Sequence, residues 1–434
     1  MLHMSKLGFL AGMAALMLVA SSAHAQDTPL TVTPQKASGI YRSGETVRWK
    51  IVTERWATPT VVRYSLKANN GEVLQSGDVV IGPGTPAEIA YTASKPTMLM
   101  LDLQQAGGKV RQFGAAVSPE KLRPVHPRPA DFDAFWDGMK SRLRALPMNA
   151  KVTPKESGRK GVDYSLIQLD HINGTNVHGQ LARPSKPGKY PAVLVLLWAS
   201  PPYRLWSDWV TDRASQGFVV LNIEPHNVLP TEPQSYYDNL PATLKNYSDI
   251  NQEDRNTNYF VEMYLRGVRA VDYLMQQPDW DGKTIIVTGT SMGGQQSIAV
   301  AGLHDAVTHM IVHVPAGTDL NGVQHGHQQG YPSFRTNSPK AMAVAPYVDG
   351  INFAPRIKAK SLVSMGFIDT VTPPNGIWTM FNQLRGPKEV APMMDSPHNN
   401  LATAEMQLPF TERSAEWFAA IAAGRPLTPK AFKN

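Results

Sequence analysis

Thr284-Ile285-Ile286-Val287-Thr288-Gly289-Thr290-Ser291-Met292-Gly293-Gly294 is the stretch that decides the fold. A β-branched apolar run of strand length opens directly on a Gly-x-Ser-x-Gly pattern, and residues 295–301 suit a helix. In that context Ser291 reads as a nucleophile on a sharp strand-to-helix turn, where a side chain at either flanking glycine would collide with adjoining backbone. Such a turn aims the hydroxyl outward. It also puts the serine at a helix N-terminus, whose free N–H groups and positive dipole end favour a developing oxyanion, with the Met292 N–H as first donor.

A serine hydroxyl needs a base, and the base needs an orienting carboxylate. After this turn type they follow in the order Ser, Asp, His, and the sequence supplies both. Asp369 lies in the loop 366–374 behind the apolar run 362–365, at the carboxyl end of a strand, where sites of open α/β sheets form. His398 lies in 395–400, after a short strand near 389–391 and before the final helix. The second oxyanion donor is expected from the loop 197–203, from the N–H of Trp198 or Ala199, because Pro201 and Pro202 have none to give. His325 and His327 read as ordinary loop histidines, since Asp319 and His313 stand at no recognised ligand spacing from them; no metal and no cofactor is expected.

Farther out, apolar runs at 192–197, 219–223, 310–314 and 362–365 have the length of buried strands. Val261, Tyr264, Leu265, Val268, Val271 and Met275 recur at helical spacing. Strand alternating with helix predicts an α/β domain with a mainly parallel sheet covered on both faces, here 131–434. Upstream, Val47, Trp49 and Ile51 alternate with polar residues, and runs at 60–66 and 97–103 are separated by the turns Asn69-Asn70-Gly71 and Gly82-Pro83-Gly84. That pattern predicts a small all-β, immunoglobulin-like sandwich over 26–116. Prolines 124, 127 and 129 break any continuing helix or central strand, so 117–130 is read as a linker.

Residues 1–25 combine Lys6, an apolar run over 7–20 and Ala23-His24-Ala25, the pattern of a signal peptide, so an exported protein, periplasmic or secreted, is expected. The chain has no cysteine, which excludes disulfides, lipid attachment through cysteine and a thiol nucleophile. Its net charge of +7 comes from scattered Lys and Arg without a basic run, and no later apolar stretch has membrane-spanning length. Neither a nucleic acid nor a membrane is an expected partner.

The segments Arg128-Pro129-Ala130-Asp131-Phe132-Asp133-Ala134-Phe135-Trp136, Arg266-Gly267-Val268-Arg269-Ala270-Val271-Asp272-Tyr273-Leu274, Trp280-Asp281-Gly282 and Gly386-Pro387-Lys388-Glu389, with the Ser291 and Asp369 motifs, run in one order. Together they resemble the acetylxylan esterase and cephalosporin-C deacetylase family, carbohydrate esterase family seven, of the α/β-hydrolase fold, over about 129–422. The resemblance implies a serine esterase that removes acetyl groups from acetylated sugars, such as acetylxylan fragments, and from cephalosporin-type acetates. It also implies closed homo-oligomers, which an added N-terminal domain could obstruct. The sequence departs from the family in three places: Met292 stands where Gln is usual, Trp198, Ser200 and two prolines replace a glycine-containing loop, and Asn399 follows the histidine. The alternative readings are a prolyl-oligopeptidase-like peptidase, whose propeller about ninety residues cannot build, and a carbohydrate-binding protein without turnover.

Overall fold

The computed structural model describes residues 30–54 and 56–432; the signal peptide expected at 1–25 lies outside them. Eight strands come first: β1 (Leu30–Pro34), β2 (Ile40–Tyr41), β3 (Thr46–Thr53), β4 (Thr60–Ala68), β5 (Glu72–Ile81), β6 (Ala87–Thr92), β7 (Thr97–Gln105) and β8 (Arg111–Val117). They form a three-stranded sheet, β1-β3-β6, and a five-stranded sheet, β2-β8-β7-β4-β5. Period-two alternation explains the pairing of the sheets. Val47, Trp49 and Ile51 of β3 share a core with Val62 and Leu66 of β4 and with Leu99, Leu101 and Leu103 of β7. Met98 and Ala116 point out of the opposite face of β7 and β8 and join the larger core of the following residues, so one end of that face is apolar too.

The proline-rich stretch is packed rather than free. Leu122 is buried, Asn382 Nδ2 donates to the carbonyls of Pro119 (2.8 Å) and Leu122 (3.0 Å), and Arg128 Nε donates to the Asn352 carbonyl (3.0 Å). Proline forbids helix and central strand, but it does not forbid burial.

Beyond it, the strands β9 (Lys151–Lys155), β10 (Val162–Asp170), β11 (Asn176–Pro184), β12 (Tyr190–Leu196), β13 (Val219–Ile223), β14 (Trp280–Thr290), β15 (His309–His313), β16 (Lys360–Gly366) and β17 (Lys388–Met393) form one nine-stranded sheet. Its order is β17-β16-β15-β14-β12-β13-β11-β10-β9. All pairings from β13 to β17 are parallel, as expected, whereas β11, β10 and β9 add an antiparallel edge that the sequence reading did not anticipate. Its outermost strand needs no apolar run: every residue of β9 is exposed.

β13 is buried along its whole length, as a strand covered on both faces must be. One cover is the helix Tyr259–Leu274, begun by the Asn258 side chain, which accepts from Phe260 N. Its fully buried Arg266 pairs with Glu262 and donates to the carbonyls of Asn176 and Pro225, tying the helix to the carboxyl end of the sheet. The helix Phe132–Arg144 locks in through Trp136, whose Nε1 donates to the Tyr347 carbonyl (2.9 Å). The other face is covered by the helix Ala404–Ala422 through Trp417 and Phe418. Among the described residues no helix is long and apolar enough to cross a membrane.

Candidate active site

β14 ends at Thr290, and the helix Met292–Leu303 begins two residues later. Ser291 between them has φ 56° and ψ −119°, a backbone conformation that costs an L-residue about 1–3 kcal/mol and persists only where the surroundings impose it. Two backbone hydrogen bonds impose it, Ser291 N to His313 O and Ala316 N to Ser291 O, both 3.0 Å. The glycines work as the sequence predicts. A Cβ on Gly289 would lie 2.4 Å from the Gly293 carbonyl carbon, and one on Gly293 would lie 2.2 Å from the Leu196 oxygen at the end of β12. The helix can start this close to the sheet only without those side chains.

Ser291, Asp369 and His398 come together as one hydrogen-bonded chain. The His398 Nε2 lies 3.0 Å from Ser291 Oγ, and its Nδ1 lies 2.7 Å from Asp369 Oδ2. A carboxylate accepts only, so Nδ1 carries the proton and Nε2 presents a lone pair to the serine hydroxyl. The three residues are 5%, 0% and 6% exposed, which keeps the chain out of bulk water.

Asp369 Oδ1 accepts from the backbone N–H groups of Val371 and Thr372, both at 2.8 Å, so the loop turns on its own aspartate. One carboxylate oxygen thus closes the turn while the other faces His398. Oδ2 accepts, besides His398, the Thr372 hydroxyl at 2.8 Å. Thr372, which the sequence reading passed over, also reaches the Val314 carbonyl (3.3 Å). Val314 has φ 39°, a strained conformation for a β-branched residue, where the chain leaves β15 beside the nucleophile turn.

Around the serine, Met292 is buried; the Tyr247 and Tyr331 hydroxyls share one hydrogen bond at 2.7 Å, which leaves one hydroxyl proton for the thioether, 3.0 Å from Tyr247 and 3.5 Å from Tyr331. The loop that holds Trp198 and Ala199 is pinned to the helix Met292–Leu303 by Gln296 Nε2, which donates to the Leu197 carbonyl at 3.0 Å. Trp198 stacks on Tyr203 and meets Trp209 edge-on, so rings fill this loop. Nearby, Glu224 follows β13 fully buried, and burial pushes its carboxyl well above the usual carboxylate range. The same burial, with Glu224 adding to it, raises the Tyr203 hydroxyl.

His327, read from sequence as an ordinary loop residue, has a specific partner. Its Nδ1 meets Asp319 Oδ2 at 2.6 Å, and Asn375 Nδ2 donates to that same oxygen at 2.9 Å. Among the described residues no group of three or more His, Cys, Asp or Glu is arranged to hold a metal ion.

Comparison with known proteins shows a likeness to ester hydrolases. The family model described as acetyl xylan esterase (AXE1) matches residues 119–414. The acetyl esterase Axe7A of Xylanibacter ruminicola is 29% identical over 375 residues, 83% of this chain and 84% of that protein. That share exceeds what residues 119–434 alone could supply, so the likeness extends into the β1–β8 region. Among solved structures, the acetyl xylan esterase from Paenibacillus sp. R4 superposes with a TM-score of 0.59 at 25% identity, over 69% of this chain and 97% of its own. That from Thermoanaerobacterium sp. gives 0.58 at 19% identity, over 70% and 97%. The structural neighbours share the α/β-hydrolase type of sheet and covering helices.

Proposed function

Since the chain belongs to the acetyl xylan esterase family and is a carboxylic-ester hydrolase, we propose that it removes acetyl groups from acetylated xylan or xylo-oligosaccharides through an acyl-enzyme on Ser291. The observation that carries the reading is the continuous chain from Ser291 Oγ through His398 to Asp369 at 3.0 and 2.7 Å.

In this mechanism His398 Nε2 takes the hydroxyl proton as Ser291 Oγ attacks the acetyl carbonyl, and Asp369 stabilises the imidazolium. The negative oxygen is met by the Met292 N–H at the helix start and by the N–H of Trp198 or Ala199. As the bond between the acyl carbon and the sugar oxygen breaks, His398 gives the proton to that oxygen, which leaves as a sugar hydroxyl. Water, activated by the same imidazole, attacks the acetyl-serine, releasing acetate and restoring the hydroxyl. Each step moves one proton over one hydrogen bond, and the described side chains supply every transfer.

The near-complete burial of Ser291 and the ring-filled loop beside it favour a small acyl group over a peptide carbonyl with bulky flanks. Cephalosporin-type acetates carry the same small acyl group and belong to the proposed range. Export rests on the 1–25 pattern, and the two sheets around one core support an immunoglobulin-like domain preceding the catalytic one. Acetate release from acetylated xylan, xylo-oligomers, a cephalosporin acetate and a peptide anilide tests the proposal. Turnover of the acetylated sugars with none of the anilide is expected; preference for the anilide would reverse it.

A further inference from the structure

We propose that the N-terminal β domain is part of the catalytic apparatus: the β4–β5 turn, through Asn70, is a positioning element that fixes the loop of the catalytic acid. The inference rests on the reading of Asp369 as that acid.

The turn is built to hold a fixed shape. Asn69 and Asn70 have φ of 48° and 59°, in the left-handed region that asparagine tolerates best among residues with side chains. Asn69 is tied to its own domain: its N–H donates to the Met98 carbonyl (2.8 Å), and its Oδ1 accepts from Met98 N (3.1 Å) and Thr97 Oγ1 (3.3 Å).

From this anchored tip the contacts run outward into the active-site loops. Asn70 is buried, and its Nδ2 donates to the backbone carbonyl of Asp369 at 2.9 Å, across 299 residues of sequence. The Asn69 carbonyl accepts from Gln328 N at 3.1 Å, and Asn69 Nδ2 lies 3.2 Å from Nε2 of His327, whose other nitrogen is held by Asp319. Gln328 in turn donates its Nε2 to the Thr370 carbonyl (2.7 Å), and Tyr331 N donates to the Val371 carbonyl (2.9 Å).

Three consecutive carbonyls of the acid loop are thus taken in order: that of Asp369 by the tip itself, and those of Thr370 and Val371 by the segment the tip holds. The N–H groups of Val371 and Thr372 are meanwhile spent on the Asp369 carboxylate. The loop has little backbone freedom left through which its aspartate could shift against His398.

The approach is also too close for side chains. A Cβ on Gly71 would sit 2.0 Å from the Gly326 oxygen, and one on Gly114 of β8 would sit 2.4 Å from Phe367 Cβ, two residues before Asp369. A Cβ on Gly39 would meet Met394 Sδ at 2.6 Å, four residues before His398. The β domain is therefore fitted against the segments that carry both the acid and the base.

Asn70→Gly in the full-length protein is the direct test, because glycine keeps the positive φ while removing the donor. Losing one hydrogen bond to a buried carbonyl predicts a fall in kcat for p-nitrophenyl acetate of about tenfold with KM within about twofold. The downfield proton resonance of His398 Nδ1 should shift or broaden. Gly71→Ala, which drives a methyl group into the Gly326 carbonyl, should reproduce the effect. Asn382→Ala, which loosens the domain junction at Pro119 and Leu122 away from the acid, should leave kcat unchanged.

The inference is overturned if Asn70→Gly and Gly71→Ala keep kcat within twofold and leave the resonance in place, whatever happens to their melting temperatures. It is equally overturned if Asn382→Ala loses as much activity as they do. Asp369→Asn separates the two levels: full activity in that variant would remove the triad reading itself.

Discussion

Replacing Asp369 by asparagine changes one atom, and the surrounding hydrogen bonds decide which way the amide must lie. Oδ1 accepts two backbone N–H groups, from Val371 and Thr372, whereas Oδ2 faces His398 Nδ1 and the Thr372 hydroxyl. An amide with its NH2 on the Oδ1 side would set donors against two N–H donors and lose two bonds of a kind worth about 1.5–3 kcal/mol each. With its NH2 on the Oδ2 side it loses neither, because the threonine hydroxyl can turn to accept. The second orientation wins, and it presents a donor to Nδ1. His398 must then carry its proton on Nε2, where it donates to Ser291 Oγ and no longer accepts from it. A histidine held in the wrong tautomer costs about 10⁴-fold in kcat, or roughly 5.4 kcal/mol of barrier. Initial rates on p-nitrophenyl acetate, taken beside a thermal melt showing the variant folded, read this out. A kcat within tenfold of the parent would refute the reasoning about the tautomer.

Two further outcomes follow from the same geometry. Gly293→Ala, whose methyl would lie 2.2 Å from the Leu196 carbonyl oxygen, must force the nucleophile helix and β12 apart. A stability loss of about 1–3 kcal/mol in urea unfolding, with a larger proportional loss of kcat than of KM, is expected, and a variant as stable and active as the parent would contradict it. Burial, aided by Arg266, pushes His171 down to about 2 and His226 to about 3, and burial pushes His313 down to about 4. All three stay neutral in the fold while the unfolded chain takes up protons below about 6.5. Their stabilising contribution is present above pH 6.5 and is lost as pH falls toward the folded values. Unfolding free energy should be level above pH 7 and should fall from pH 6.5 to 4.5 with a slope of up to about 4 kcal/mol per unit for the three together; a flat profile across that window would contradict the burial argument.

The nucleophile turn is legible in sequence because its constraints are local. Gly289 and Gly293 must lack side chains where β14, β12 and the helix start converge, and a strand must precede them within the same dozen residues. Asp369 and His398 can be placed by order along the chain, since each follows a strand of the parallel series. The outermost strand β9 of the antiparallel edge is harder to read, because an exposed strand carries little hydrophobic pattern. Thr372, the His327–Asp319 pair and the docking of Asn70 on Asp369 escape sequence reading for another reason. They are polar contacts, in one case between residues 299 apart, and a turn signal says that the chain reverses without saying what the turn touches. The prolines after Ser118 show the related limit: they mark where regular structure stops, and the packing of Leu122 and Arg128 is set by surfaces far along the chain.

The central claim is that the Ser291 hydroxyl becomes covalently acetylated during turnover. Acid-quenching the protein within its first turnover of p-nitrophenyl acetate, followed by mass analysis of the intact chain and its peptides, tests this most directly. One acetyl group on the peptide containing Ser291, absent from Ser291→Ala along with all turnover, is the predicted result. A Ser291→Ala variant that still releases acetate at the parent rate, or an acetyl group lodged on another residue of the competent enzyme, would contradict it.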